Sequence, residues 1–216
     1  MTDVLVRTLD PRQLAGRERQ LEPMVASAYT RGQDGLHLPQ LAEGLLMAAC
    51  CGITSTAQLT LGAWGKPSFS RAAPERFQAM SFNLSTSPVA AALALAPQAV
   101  GVDVQQVMPP DWAVAKRFLG KEAADRLQSL PSFIQPGAFT LEWTRLEAVL
   151  KADGRGFAAP RSEFPQLLDA WQTESMLLGN YALSVATADA PSVEVVALSL
   201  DEVLDLIAHS GQADPH

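Results

Sequence analysis

From Ala99 to Val107 apolar and polar positions alternate with a period of two. Val100, Val102 and Val104 fall on one side and Gly101, Asp103 and Gln105 on the other, which predicts a strand. By itself this pattern describes an edge strand with one face in water. Val4 and Val6 predict a first strand, and Asp10-Pro11 opens a helix running through Arg17, Arg19 and Leu21. Leu41, Leu45, Leu46 and Ala49 carry the period of a core-facing helix over Leu38 to Cys51, with Gly52 where a left-handed cap belongs. Ala57 to Trp64 alternates as a strand ending in a turn at Gly65-Lys66-Pro67. Phe82 to Pro88 predicts a short strand that runs into small hydroxyl residues. Val89 to Ala96 is apolar enough for a buried strand, although its alanines also favour a helix.

Beyond Pro109-Pro110 the pattern predicts one helix over Asp111 to Leu130, a loop over Pro131 to Pro136, and a helix through Trp143 that Gly154 stops. On that last helix Leu146, Val149 and Leu150 form an apolar stripe, while Trp143, Glu147 and Lys151 lie four apart and share a ridge. An acid and a base so placed are commonly a solvated pair worth about 0.2 to 0.5 kcal/mol, so the ridge needs a partner elsewhere in the chain. Leu177 to Thr187 and Val193 to Leu198 read as a final hairpin around Asp189-Ala190-Pro191. Ser199 and Glu202 form a capping box for a last helix through Val203, Leu206 and Ile207.

Composition narrows the function classes. The 216 residues are 48% hydrophobic and 18% charged, enough to bury a sizeable core, and disorder is not indicated. A net charge of −7 argues against a protein that tracks nucleic acid, whose affinity comes from neutralising phosphates with Lys and Arg. An anionic ligand must therefore be met locally, with Lys66, Arg145, Lys151 and Arg155 as candidates. Cys50 and Cys51 are adjacent and read as buried thiols in a reducing compartment. No run reaches the length of a membrane span, and the first residues make a poor secretory signal, so a cytoplasmic protein is the expectation. His37, His209 and His216 fall in no motif, and no Cys and His pairing suits zinc.

Four pieces occur in a meaningful order: Gly65-Lys66-Pro67, Phe82-Asn83-Leu84-Ser85-Thr86-Ser87, Gly101-Val102-Asp103-Val104, and Trp143 through Gly156. Together they resemble the 4′-phosphopantetheinyl transferases of the larger, surfactin-synthetase-activating type, over a stretch from about residue 60 onward. The resemblance implies an α+β fold of two similar α/β subdomains related by a pseudo-twofold, here 1-100 and 101-216, with coenzyme A and Mg²⁺ in the cleft between them. It implies transfer of the phosphopantetheine arm of coenzyme A to a serine of an acyl or peptidyl carrier protein. Carried over by position, Asp103 and Glu147 are the metal ligands, with Glu147 also the base for the serine hydroxyl. Lys151 reaches a phosphate oxygen, Lys66 and Pro67 meet the nucleotide end, and Ser85 and Thr86 offer hydroxyls to a phosphate. No nucleic acid or membrane partner is implied, and a chain carrying both halves can act as a monomer.

Three positions depart from the family pattern. Thr86 stands where a histidine is usual, Gln105 replaces an acid and offers a neutral oxygen to the metal, and Leu146 occupies the lysine position of Trp-x-x-Lys-Glu. Arg145, about 100° around the helix, would have to curl back to compensate. These departures keep a second reading open, a catalytically weak or inactive member that binds coenzyme A or a carrier protein without turnover. The basic residues Lys116, Arg117 and Lys121 offer a surface to an acidic carrier, or simply a solvated helix face.

Overall fold

The computed structural model describes residues 1–27 and 37–210; His216 lies outside them. The chain begins with β1 (Thr2–Leu9), a 3-10 turn at Pro11–Leu14 and the short α1 (Glu18–Leu21). The single helix expected from Asp10 is thus two pieces. Asp10 caps the first as predicted, but Gly16 takes a φ of 81° and breaks the run. α2 (Leu38–Cys51) ends as expected, with Gly52 in the left-handed conformation at φ 68°.

A small hairpin follows, β2 (Leu59–Leu61) with β3 (Pro67–Phe69), then α3 (Glu75–Gln78). The expected strand to Trp64 is cut to three residues because its partner offers only three, and Leu61 and Trp64 stay exposed. β4 (Ser81–Thr86), β5 (Ala91–Ala96) and β6 (Val100–Gln106) come next. In β5 the strand wins over the helix, since ladders to β4 and β1 enclose it and all its residues are buried.

The helix expected over Asp111 to Leu130 is broken into α4 (Trp112–Val114), a π-helical stretch Ala115–Leu119, and α5 (Lys121–Gln128). The break is at Gly120, with φ 90°. α6 (Gln135–Asp153) stops at Gly154, φ 89°, as the sequence predicts. α7 (Phe164–Ala170) and β7 (Gln172–Leu178) were not read from the pattern. The last elements are β8 (Tyr181–Thr187), β9 (Pro191–Leu198) and α8 (Leu200–Ser210).

The expected final hairpin is corrected by the pairing. β8 turns back on β7 through Gly179-Asn180, while β9 crosses away and runs parallel to β1. One sheet therefore has the order β4-β5-β1-β9 and a second the order β6-β8-β7. α2 and α8 cover the first sheet, where Leu41, Leu45, Leu46 and Val203 meet Leu9, Phe82 and Leu93. Its other face meets the second sheet, Val4, Val6 and Ala94 against Val100, Val102, Val104 and Val185. α6 closes the stack, with Ala148, Val149 and Ala152 packed beside Ala186 of β8. The architecture is α+β. Among the described residues no helix is long and apolar enough to cross a membrane.

Candidate active site

β6 is an edge strand, as its alternation allows, but its polar face is not wet. Asp103 is 2% exposed because α6 lies across it. The helix can come so close only at Gly101, where an added Cβ would stand 2.0 Å from the Ala148 carbonyl oxygen and 2.4 Å from Ala152 N. Backbone against backbone, α6 delivers Glu147 and Lys151 to the side of β6 that carries Asp103. Lys151 Nζ donates to Asp103 Oδ1 at 2.7 Å and to Ser85 Oγ at 2.8 Å, and Ser85 Oγ donates to Asp103 Oδ1 at 2.7 Å.

Glu147 sits beside Asp103 with its carboxyl pushed up to about 7. Burial is the larger cause and the Asp103 charge the next, with Lys151 and a hydrogen bond from Trp143 pulling the other way. A buried and a half-buried carboxylate held together need a proton or a cation between them. Asp103 Oδ2 is buried and no donor among the described residues reaches it, so a proton shared with Glu147 or a cation between the two carboxyls would fill that place. Among the described residues no group of three or more His, Cys, Asp or Glu side chains is set to hold a metal. A cation here would take two protein carboxylates and complete its shell from water and substrate oxygens, the coordination that suits Mg²⁺.

The other expected residues are spread around this centre. Lys66 Nζ donates to the carbonyls of Lys151 (2.6 Å), Val100 (3.0 Å) and Ala152 (3.2 Å), so it caps the end of α6; burial pulls its ammonium down to about 8. Beside it Trp64, Pro67, Phe82, Asp153 and Gly154 line a cleft of about 320 Å³. A second cleft, of about 220 Å³, runs past Asn83, Lys151 and Arg155. Thr86 is half-buried and makes no side-chain hydrogen bond among the described residues. Gln105 turns its amide to Met108 Sδ at 4.0 Å. Leu146 is fully buried against Leu150, Ala159 and Phe164, with Phe118 and Leu119 packed beside them. Arg145 does not replace a cation there, being held by Glu142 and Thr173 at 3.3 Å each.

Two residues near the centre have roles that the sequence reading does not assign. Glu43, on α2, is pushed up to about 7 by burial, against the opposing pull of Lys151. Its signal was available, since no other residue of Leu38–Cys51 is charged. Asn83 accepts from Val102 N at 2.9 Å, and its signal was the alternation of Phe82 and Leu84 with Asn83 and Ser85.

Residues 99–192, which carry Asp103, Glu147 and Lys151, match the model of the 4′-phosphopantetheinyl transferase superfamily. Two curated relatives agree. The chain is 34% identical over 83 residues to the 4′-phosphopantetheinyl transferase psf-1 of Bacillus pumilus. It is 29% identical over 96 residues to the 4′-phosphopantetheinyl transferase gsp of Aneurinibacillus migulanus. The alignments take in 38% and 44% of this chain but only 36% and 40% of the relatives, well under half of either.

Proposed function

We propose that the chain transfers 4′-phosphopantetheine from coenzyme A to a serine of an acyl or peptidyl carrier protein, with Mg²⁺ held by Asp103 and Glu147. The observation that carries this reading is the meeting of a buried Asp103 and a half-buried Glu147, forty-four positions apart, with one oxygen of Asp103 unsatisfied. Mg²⁺ at such a pair supplies charge neutralisation for a diphosphate.

The rest of the chemistry falls to the chain itself. The serine oxygen forms a bond to the phosphorus that carries the pantetheine arm, and the bond from that phosphorus to adenosine 3′,5′-bisphosphate breaks. Glu147 takes the serine proton, directly or through water. Lys151 spends two of its three protons on Asp103 and Ser85, which leaves one for a phosphate oxygen. Thr86 keeps a free hydroxyl for another, and Gln105 a neutral oxygen for the metal or its water. The nucleotide lies along Lys66 and Pro67 in the cleft of about 320 Å³, where residues of the 1-100 half meet those of the 101-216 half. Catalysis on this reading is positioning and charge stabilisation.

The test is to incubate the protein with coenzyme A, Mg²⁺ and a panel of apo carrier proteins and weigh each carrier. A gain of one phosphopantetheine on at least one carrier is expected, and no gain on any refutes turnover. One observation favours binding without turnover: Leu146, at the position where the family pattern has a lysine, is sealed in an apolar cluster. Calorimetry separates the two, since Mg²⁺-dependent coenzyme A binding with unchanged carrier masses supports this second reading.

A further inference from the structure

The free edge of β6 faces β4, the edge of the other sheet, yet no backbone ladder joins them. Side chains of β4 do so instead. Val102 N–H donates to Asn83 Oδ1 at 2.9 Å, and Val104 N–H donates to Ser85 Oγ at 3.2 Å. Both side chains are buried, at 6% and 4% exposure. Asn83 has this strand edge to hold, but Ser85 has a second set of partners. Its hydroxyl also donates to Asp103 Oδ1 and accepts from Lys151 Nζ. A serine hydroxyl has one proton and two lone pairs, so Ser85 is fully spent. Asp103 Oδ1 receives two donors, one of them charged, while Oδ2 receives none.

We propose that Ser85 is a positioning residue that, together with Lys151, saturates Oδ1 of Asp103 and so presents Oδ2 as the single oxygen of that carboxylate open to a divalent cation. The inference rests on the reading of Asp103 and Glu147 as the cation pair, and it replaces the expectation that Ser85 contacts a phosphate. Turning the carboxylate to offer Oδ1 breaks two bonds at once, one of them charge-assisted and therefore strong. A cation that demands near-octahedral geometry gains from a ligand already fixed to one oxygen. Loss of a residue that orients a metal ligand typically costs 10- to 100-fold in affinity.

The experiment titrates the full chain with Mn²⁺ alone, reading free ion by electron paramagnetic resonance, and follows folding by circular dichroism. Wild-type protein is expected to bind one ion, and Glu147→Gln to lose it. Ser85→Ala is expected to weaken binding about 10- to 100-fold. Ser85→Thr, which keeps the hydroxyl, should stay close to wild type and preserves the test if the alanine variant fails to fold. Asn83→Ala, which loosens the same strand edge without touching Asp103, should also leave Mn²⁺ affinity near wild type. Equal affinity of Ser85→Ala and wild type, or an equal loss in Asn83→Ala, overturns the proposal. In the transfer assay Ser85→Ala should raise the Mg²⁺ requirement and leave KM for coenzyme A at saturating Mg²⁺ unchanged; a raised KM there points to phosphate contact and overturns it too. Wild-type protein that binds no Mn²⁺, or Glu147→Gln that binds it equally, instead defeats the underlying cation pair.

Discussion

Gly101 is the position at which the site can be disturbed without altering any charged residue. Replacing it with alanine places a methyl 2.0 Å from the Ala148 carbonyl oxygen and 2.4 Å from Ala152 N. Ordinary contact would require α6 to retreat by about 1.4 Å. The obstruction is backbone, so no side-chain rotamer relieves it, and Ala148→Gly is not a rescue. Overpacking of this kind costs about 1 to 3 kcal/mol. The larger consequence is functional, because Glu147 and Lys151 ride on α6 while Asp103 stays on β6. A misplacement of roughly 1 Å can cost about 100-fold in rate. The assay pairs urea unfolding followed by circular dichroism with carrier modification followed by mass spectrometry. Gly137→Ala is the control on the same helix: its methyl meets only the Leu177 side chain, with Cδ1 at 3.3 Å, and a helix gains up to about 1 kcal/mol from such a change. If Gly101→Ala keeps wild-type stability and transfer, the account of how the helix is registered on the strand is wrong.

Other perturbations follow from the same geometry. Glu147→Gln should lower transfer at least about 100-fold while leaving the fold intact, since it removes a buried like charge; undiminished transfer removes Glu147 as the base. Glu43 holds a proton in the folded state up to about pH 7, against 4.5 ordinarily, so its contribution is complete below pH 4.5 and is lost as pH rises through 7. Glu43→Gln should therefore unfold later in urea than wild type at pH 8, by on the order of 2 to 3 kcal/mol, with the gap closing toward pH 4.5; a gap independent of pH contradicts this. Lys66→Met strips the end of α6 of its cap and should cost about 1.5 to 3 kcal/mol in urea unfolding, whereas a neutral effect would mean the three carbonyls are satisfied otherwise.

Local signals were read well and long-range ones poorly. Gly52 and Gly154 stop their helices because a left-handed terminus is written into one residue, and β6 follows from its own alternation. The break at Gly120 was legible in principle, but the surrounding helical composition masked it. β9 has the pattern of a hairpin partner for β8, and only the apolar face of β1 draws it into the other sheet. The strand length of β2 depends on a partner that offers three residues, which alternation cannot reveal. In the site, Asp103, Glu147 and Lys151 came from the order of the motifs. The hydrogen bonds that commit Lys66 to helix carbonyls and Ser85 to Asp103 depend on chain segments far apart in sequence and are visible only once these are folded together.

The most direct measurement is diffraction from a crystal grown with coenzyme A and Mn²⁺, using the anomalous signal of the metal. One peak is expected between Asp103 Oδ2 and Glu147, with the diphosphate of coenzyme A beside Lys151. A metal peak elsewhere, or a diphosphate bound away from both carboxylates, contradicts the proposed site.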